Sequence, residues 1–283
     1  MPELPEVEVL ACHLRPLIQG RTIRAVLVRR PKVLSPTSAA DFETHLLGAR
    51  FLGVERRAKY LCFQMRAANS GKRFVLLGHL GMTGRMYLAG KQGPLPKHAA
   101  VVLDLGRRKF IYDDPRVFGR LTLDVSPLTG LGPEPLAEVF TPEVLARGLK
   151  RSRQAIKVKL LDQSLVAGIG NIYASEALFQ AGISPRRPAN RLTRQQSEQL
   201  WGAIREVLAM AIKGGSTVPL NFGPHQSDGL FYYGSTEGRP DFYNERLRVY
   251  DRRGKPCVVC QTPIRRIVQA ARSTFYCPCC QKV

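Results

Sequence analysis

The sequence predicts an α+β protein, with an N-terminal helix and a β-sandwich followed by a helical domain that ends in a cysteine-rich β-hairpin. Three observations support this fold class. Short β-rich runs fill most of residues 1–125, helical periodicity replaces them from residue 141, and four regularly spaced cysteines lie close to the end of the chain. With 283 residues, 44% of them hydrophobic, the chain is long enough for two domains with packed cores.

The first domain begins with a helix between Pro5 and Ile18. Apolar residues recur there at helical spacing, Pro5 suits the first turn, and Gly20 can end the helix. Seven β-rich runs follow, and so many short strands are typical of a sandwich or barrel. These runs cover 22–28, 50–65, 74–77, 85–88, 99–105, 109–112 and 120–125. Proline and glycine then crowd a segment without periodicity, which indicates a linker at 126–140.

Helix signals dominate the chain after the linker. One helix is expected to begin at Thr141, and a second, capped by Ser152, is expected over 153–161. A third should cover 171–181. The last should run from a Thr193–Gln196 capping box to Lys213, where Gly214 and Gly215 would end it. The aromatic and glycine-rich stretch 221–244 predicts a long loop, and strands at 247–250 and 272–276 would form the terminal hairpin. We therefore expect a helical domain over 141–245 and a separate module over 246–283.

The cysteines of this terminal module have the spacing of a metal site. Cys257, Cys260, Cys277 and Cys280 form a C-x2-C-x16-C-x2-C array. Such an array can supply four thiolates, each at about 2.3 Å from one tetrahedral zinc ion. Four thiolates leave no open position for water, so the zinc is expected to be structural, whereas the alternative is four unrelated buried thiols. Cys279 does not fit the spacing and is interpreted as a spare thiol.

The composition is strongly basic, with a net charge of +21. Such a field attracts nucleic acid or anionic lipid, and no segment approaches the roughly 18 uninterrupted apolar residues of a membrane span. From Arg246 onward, nine Lys or Arg residues accompany one acid, Asp251. The sequence lacks the pattern of a secretory signal, so we expect a cytosolic protein with no membrane partner. Cys12 and Cys62 are then expected to be reduced and buried in the core.

The N-terminus carries candidate catalytic groups. Removal of the initiator methionine would leave Pro2 with a secondary amine, and an α-amino group has a pKa about 2.5 units below that of lysine. Such an amine can attack an aldehyde-like carbon and form an iminium. Glu3 could transfer protons, and Glu6 lies in a supporting position at the helix start, where the dipole favours a carboxylate. Many proteins begin with Met-Pro and nearby acids, so these residues alone leave an ordinary N-terminus as the alternative.

Six motifs between Pro2 and Lys282 resemble, in order, those of the formamidopyrimidine-DNA glycosylase family. They are PELPEVE at 2–8, RRAKYL at 56–61, HLGMTG at 79–84, DPRVFG at 114–119, GIGNIYASE at 168–176, and the cysteine array. The resemblance implies a helix-two-turn-helix in the second domain, DNA held in a basic cleft, and a monomer. It also implies a bacterial DNA repair enzyme that is cytoplasmic and nucleoid-associated. Leu4 favours the branch of the family that acts on purine lesions.

The resemblance further implies the activity and its residues. The enzyme would flip a damaged base out of duplex DNA, excise oxidised purines such as 8-oxoguanine and formamidopyrimidines, and nick the strand by β,δ-elimination during base excision repair. Pro2 would attack C1′, and Glu3 would pass protons to the opening sugar. Lys59 would act as a second acid or base and hold a phosphate. Arg272, in the terminal hairpin, would support the last elimination step.

The same resemblance assigns the contacts with DNA. Met82, Arg116 and Phe118 would fill the space of the flipped nucleotide, as an apolar wedge and a guanidinium can. Asn171 lies at a helix start, where backbone N–H groups bind phosphate. The other expected contacts are His79, His98, Arg153, Lys157, Tyr250 and Arg266.

Ordinary structural roles are the alternatives for several of these residues. Without the family motifs, Met82 and Phe118 would be core residues, Lys59 a solvated lysine, and the basic run before Lys157 a solvated helix face. Val117 stands where the family often has a second arginine.

The functional prediction has two alternatives. Val218, Pro219 and Leu220 stand where the family commonly places a basic residue, and the long loop after them lies in the region that selects the base. An oxidised-pyrimidine glycosylase of the same fold is therefore one alternative. A zinc-ribbon protein that binds lesions without catalysis is the other.

Overall fold

The computed structural model describes residues 1–216 and 247–282. Among these residues the chain divides into two compact units, one of 1–2, 6–129 and 215–216 and one of 3–5, 130–214 and 247–282. No helix in the described ranges is long and apolar enough to cross a bilayer. The predicted loop at 221–244, the residues 218–220 and Arg246 lie outside the described residues.

The first unit contains two four-stranded antiparallel sheets. Its elements are α1 (Leu4–Ile18, which begins in the second unit), β1 (Ala25–Val28), α2 (Ala39–Leu46), β2 (Arg50–Arg57), β3 (Tyr60–Arg66), β4 (Arg73–His79), β5 (Arg85–Gly90), β6 (Ala99–Asp104), β7 (Arg108–Asp113) and β8 (Arg120–Thr122). The strand orders are β1-β6-β7-β5 and β2-β3-β4-β8. Phe51 and Phe63 from one sheet meet Phe110 from the other, with ring centroids 5.6 to 6.3 Å apart. The helix and the sandwich are as predicted.

The first unit differs from the prediction in three places. The run at 50–65 is two strands, because Ala58 adopts φ +53° and lets Arg57 pair with Tyr60 across a hairpin turn. The helix α2 was not predicted, although Ser38 caps it by accepting a hydrogen bond from the N–H of Asp41. Cys12 is exposed rather than buried, because it lies on the solvent side of α1, whereas Cys62 is buried as expected.

The second unit contains four α-helices, the last of which ends in the first unit, and one hairpin among its described residues. They are α3 (Pro142–Lys150), α4 (Ile156–Leu160), α5 (Asn171–Gln180), α6 (Arg194–Ser216), β9 (Arg265–Gln269) and β10 (Arg272–Tyr276). The Thr141 hydroxyl caps α3 as predicted. The capping box of α6 is confirmed, since the N–H of Gln196 donates to the Thr193 hydroxyl and the N–H of Thr193 donates to the Gln196 amide oxygen, both at 3.1 Å.

Two helix boundaries differ from the prediction. α4 begins at Ile156 rather than at 153 and has no side-chain cap. The N–H groups of Ala189 and Asn190 donate to the carbonyls of Gln154 and Ser152, which holds the preceding segment extended. α6 continues past the predicted stop to Ser216, since glycine near the end of a 23-residue helix costs only about 1 kcal/mol.

The first strand of the terminal hairpin was placed wrongly. Residues 247–250 form no strand, and β10 pairs instead with Arg265–Gln269. The backbone N–H groups of Arg248, Val249 and Tyr250 all donate to the carboxylate of Glu176, at 2.8 to 3.0 Å. With these donors engaged on a helix side chain, the segment cannot use them to join a sheet.

Candidate active site and metal centre

Glu3 is fixed by the N-terminus of α5. Its side chain is 2% exposed, and its carboxylate accepts hydrogen bonds from the N–H groups of Gly170 at 2.8 Å, Ile172 at 2.9 Å and Tyr173 at 3.3 Å. A Cβ atom at Gly170 would lie 2.3 Å from Cδ of Glu3, so only glycine permits this approach. The unpaired N–H groups and the dipole of a helix start favour an anion at this position. The residue next to Pro2 therefore has one fixed orientation.

The other catalytic candidates near the N-terminus are also withdrawn from solvent. Pro2 is buried and Glu6, in the first turn of α1, is 4% exposed. Lys59 is 7% exposed and follows Ala58 in the turn between β2 and β3. This burial contradicts the alternative of a solvated lysine. A buried ammonium has to be compensated by its surroundings, which is more typical of functional than of surface lysines.

His79 ends β4 beside Tyr60, with ring centroids 4.8 Å apart. Burial lowers its pKa to about 4, and the positive charges of Lys59 and Arg120 contribute to this decrease. The ring is therefore neutral near pH 7. Its Nδ1 atom accepts the N–H of Gly81 at 3.2 Å, which leaves the proton on Nε2. His79 can thus donate one hydrogen bond to an anion without carrying a charge.

Asp114 joins the two loops that carry the predicted wedge residues. It is fully buried, and its carboxylate accepts the Thr83 hydroxyl at 2.7 Å and the N–H groups of Arg116 at 3.2 Å and Gly119 at 2.9 Å. Sequence reasoning gave Asp114 no role of its own. The sequence signal that could have identified it is the Asp-Pro pair, because aspartate commonly accepts hydrogen bonds from backbone N–H groups at the start of a turn.

The side chains at the tips of these loops are exposed. Met82 is 47% and Phe118 is 51% exposed, and the Arg116 guanidinium lies 4.5 Å from the centre of the Phe118 ring. The alternative that Met82 and Phe118 are core residues is therefore wrong. Val117, between the arginine and the phenylalanine, adopts φ +56°, which is a strained conformation for a β-branched residue.

In the second unit, Lys157 and Asn171 form a polar link to the terminal hairpin. Lys157 is fully buried, and its ammonium donates to Oδ1 of Asn171, whose Nδ2 donates to the carbonyl of Ser273 at 2.9 Å. Burial lowers the pKa of Lys157 to about 8; Arg272 also acts to lower it, and Glu3 acts to raise it. The three elements α4, α5 and β10 thus converge beside the N-terminus of α5.

Glu176 was missed by sequence reasoning. It lies on α5, is 3% exposed, and holds the backbone of residues 248–250 as described above. Burial raises its pKa, while the N–H donors of Tyr250, Val249 and Arg248 act to lower it. Tyr250 packs edge-on against Phe275 with ring centroids 5.2 Å apart, and burial raises the pKa of its hydroxyl.

The remaining predicted DNA contacts lie at the surface. His98 is half-buried before β6, and Arg153 is exposed before α4. Arg266 on β9 donates to the Ser273 hydroxyl at 2.9 Å. Arg272 is exposed and directly follows the turn at Ala270 and Ala271, which have φ +45° and φ +58°.

The four cysteines of the array form one cluster. Their sulfur atoms all lie within 4.8 Å of one another, with 3.9 Å between Cys257 and Cys280 and 3.4 Å from Cys260 to both Cys277 and Cys280. Four ligands at about 2.3 Å from a tetrahedral ion are separated by about 3.8 Å, so the arrangement fits zinc. Cys279 is exposed and lies outside this cluster, so the site holds one structural ion with four thiolate ligands.

Comparisons with known proteins agree with this arrangement along the whole chain. Residues 1–121 match the formamidopyrimidine-DNA glycosylase N-terminal domain, residues 131–221 its H2TH domain, and residues 254–283 the zinc finger found in FPG and IleRS. A formamidopyrimidine-DNA glycosylase of Symbiobacterium thermophilum is 44% identical, covering 100% of this chain and 90% of its own. That of Thermus thermophilus is 43% identical, covering 99% and 98%.

Solved structures with the same fold include the Lactococcus lactis enzyme. One structure, non-covalently bound to DNA with an AP site, is 33% identical with a TM-score of 0.85 and covers 99% of this chain and 100% of its own. Another, in complex with DNA containing N7-benzyl-Fapy-dG, is 34% identical with a TM-score of 0.87 and covers 100% of both. From these matches and the geometry of the site, the chain belongs to the formamidopyrimidine-DNA glycosylase family and is an enzyme with one structural zinc ion.

Proposed function

We propose that the enzyme is a bifunctional DNA glycosylase and AP lyase that removes oxidised purines, including 8-oxoguanine and formamidopyrimidines, from duplex DNA in base excision repair. The observation that carries this proposal is the buried Glu3, held by three N–H groups of α5 immediately after Pro2. An amine followed by a fixed proton-transfer group is what imine chemistry at a sugar carbon requires. We expect the enzyme to act as a monomer.

The proposed reaction begins after removal of Met1. The Pro2 nitrogen attacks C1′, the N-glycosidic bond breaks, and the damaged base leaves with a proton. The C1′–O4′ bond then opens, O4′ takes a proton relayed by Glu3, and an iminium joins Pro2 to the sugar. Loss of a proton from C2′ expels the 3′ phosphate, and a second elimination expels the 5′ phosphate. Water finally hydrolyses the imine and regenerates the amine.

Other residues of the site would serve binding and proton transfer. Buried Lys59 is assigned as a second acid or base. Neutral His79 offers an N–H to phosphate. Lys157 and Asn171 are also assigned to phosphate, through their side chains, because the N–H groups at the start of α5 already donate to Glu3. Arg272 is assigned to the final elimination.

Recognition of the flipped state would use the exposed loop tips. Met82 and Phe118 are apolar and solvent-exposed on loops fixed by Asp114, so they can enter a base step without refolding of the protein. Arg116 can donate to the unpaired partner base. The zinc site would serve only to hold the β9–β10 hairpin that carries Arg266 and Arg272. His98, Arg153 and Tyr250 are assigned to phosphate, and Glu6 to support of the N-terminus.

Borohydride trapping tests the nucleophile. The wild-type protein should form a covalent adduct with duplex DNA containing an abasic site, and peptide mapping should place it on Pro2. A Pro2→Glu variant, whose large second residue blocks removal of Met1, should form no adduct and lose strand cleavage by at least about 1,000-fold while its DNA affinity changes little. Full cleavage by a protein whose Met1 is shown by mass spectrometry to be retained would disprove the assignment.

A panel of duplexes tests the substrate class. We expect cleavage opposite cytosine to be faster for 8-oxoguanine and formamidopyrimidine than for thymine glycol. Faster cleavage of thymine glycol would instead support the alternative of an oxidised-pyrimidine glycosylase. Both substrates are cut by the same lyase step, so the comparison isolates recognition of the base.

A further inference from the structure

Arg30, just after β1, links two segments to which the mechanism assigns DNA contacts. Its Nη2 atom lies 3.0 Å from Nδ1 of His98. Its Nη1 atom donates to the carbonyl oxygens of Asp114 at 3.1 Å and Pro115 at 3.4 Å, at the start of the loop that bears Arg116. One half-buried guanidinium therefore holds a histidine ring and a loop backbone, which lie far apart in sequence.

The contact with His98 has a chemical consequence. A guanidinium carries five N–H donors and no acceptor, so Nδ1 of His98 has to accept the hydrogen bond through its lone pair. The proton of the neutral ring then resides on Nε2. Within the described residues, Nε2 has no hydrogen-bond partner, and the ring is half-exposed. His98 is thus held as an N–H donor that points away from Arg30. Asp113 interacts electrostatically with both members of this pair, and also with Arg85 and Asp114.

We propose that Arg30 is a positioning residue for DNA binding: it fixes the Nε2–H tautomer and the orientation of His98, so that His98 donates to a phosphate. This inference rests on the proposed function, in which His98 contacts the DNA backbone. Arg30 acts through other residues rather than by touching DNA, because both terminal guanidinium nitrogens are engaged on protein acceptors: Nη2 on His98, and Nη1 on the loop carbonyls of Asp114 and Pro115.

Arg29 provides a matched control. It is adjacent, carries the same charge, is exposed, and donates through Nη1 to the carbonyl of Pro96 at 3.1 Å, two residues from His98. It therefore contacts the same segment without contacting the imidazole. Loss of one positive charge near DNA affects both variants alike, so their difference reports the contacts of Arg30 with His98 and with the loop carbonyls, which a His98→Ala background separates.

A double-mutant cycle on the full-length, zinc-loaded protein tests the proposal. The probe is a duplex containing tetrahydrofuran, an abasic analogue that cannot form the imine. We expect Arg30→Met to weaken binding about tenfold and Arg29→Met about twofold, within the range of coupling energies between contacting residues. In a His98→Ala background, Arg30→Met should cost clearly less than in the wild type, because only its contacts with the loop carbonyls remain to be lost. An equal cost of Arg30→Met in both backgrounds would overturn the proposal and indicate a direct phosphate contact or a general structural role.

Nitrogen NMR of the free protein gives a second readout that does not depend on catalysis. In the wild type, the His98 ring should show a protonated Nε2 and an unprotonated Nδ1. Arg30→Met should yield a mixture of tautomers, and Arg29→Met should not. An unchanged single tautomer in Arg30→Met would also overturn the proposal. Failure of the proposed function would give a different result. The wild-type protein would then form no borohydride adduct, while the NMR spectra of His98 would still be as described.

Discussion

The β-sandwich of the first unit and the β9–β10 hairpin of the second both carry residues that we assign to DNA binding, yet different forces stabilise them. The sandwich buries a large apolar cluster that includes Phe51, Phe63 and Phe110. The cluster around the hairpin contains few residues, and two of its buried members, Cys257 and Cys277, are zinc ligands. The comparison indicates that apolar burial holds the loops of Met82 and Phe118, whereas metal coordination holds the hairpin.

The largest expected effect comes from breaking the metal site. Cys260→Ser removes one of four thiolates, so we expect loss of stoichiometric zinc, loss of the hairpin structure and a large decrease in DNA affinity, while the sandwich stays folded. Zinc analysis, circular dichroism and binding to tetrahydrofuran duplex measure these outcomes. The matched control is Cys279→Ser, because this exposed thiol lies outside the cluster and its loss should change none of them. Unchanged affinity of Cys260→Ser would show that the hairpin is dispensable for binding.

The next largest effect comes from breaking the sandwich core. Phe63→Ala deletes a fully buried ring, and we expect a loss of about 3–5 kcal/mol in the free energy of unfolding of the first unit. Phe118→Ala is the control, since its ring is half-exposed and its removal should cost little stability. Denaturant unfolding and duplex binding should show opposite orders, with Phe118→Ala weakening DNA binding more. Equal losses of stability in the two variants would contradict the assignment of Phe63 to the core and of Phe118 to an exposed DNA-contacting loop.

Acid should weaken the first unit through His79. Its pKa is lowered by burial to about 4 in the folded protein, so below its ordinary value of 6.5 the unfolded chain binds more protons than the folded one. The stability present above pH 6.5 is therefore lost as pH falls from 6.5 towards 4, by about 2 kcal/mol between pH 7 and pH 5. In His79→Gln this part of the pH dependence should vanish, as measured by urea unfolding at both pH values. The exposed control His45→Gln should retain it; retention by His79→Gln would refute the argument.

The smallest expected effect concerns the turn of the hairpin. Ala271 adopts φ +58°, and left-handed backbone costs an L residue roughly 1–2 kcal/mol, which glycine avoids. Ala271→Gly should therefore stabilise the hairpin by about 1 kcal/mol and slow its loss of zinc to a chelator. Ala25→Gly, at an exposed strand position of the first unit, should instead be mildly destabilising. Faster zinc loss from Ala271→Gly would mean that the turn is not the strained element.

Much of the fold was predictable because its signals are local. The Thr141 cap, the Thr193–Gln196 capping box, the spacing of apolar residues in α1 and the spacing within each cysteine pair involve residues a few positions apart. The failures share a different cause. The strand expected at 247–250 was lost because its N–H groups donate to Glu176, more than seventy residues away in sequence. Likewise, the helix at 153–161 was shortened by pairing with the segment at 187–190.

The sequence by itself determined the fold class, the zinc ligands and the family motifs, because each depends on residue type and spacing along the chain. Only the tertiary structure decided that Lys59 is buried, that Met82 and Phe118 are exposed, and that Glu3 lies in the N–H groups of α5. It also decided the partners of Asp114 and Arg30. The physical reason is that burial and hydrogen bonding of a polar group are set by elements remote in sequence, and local patterns carry no information about which elements meet.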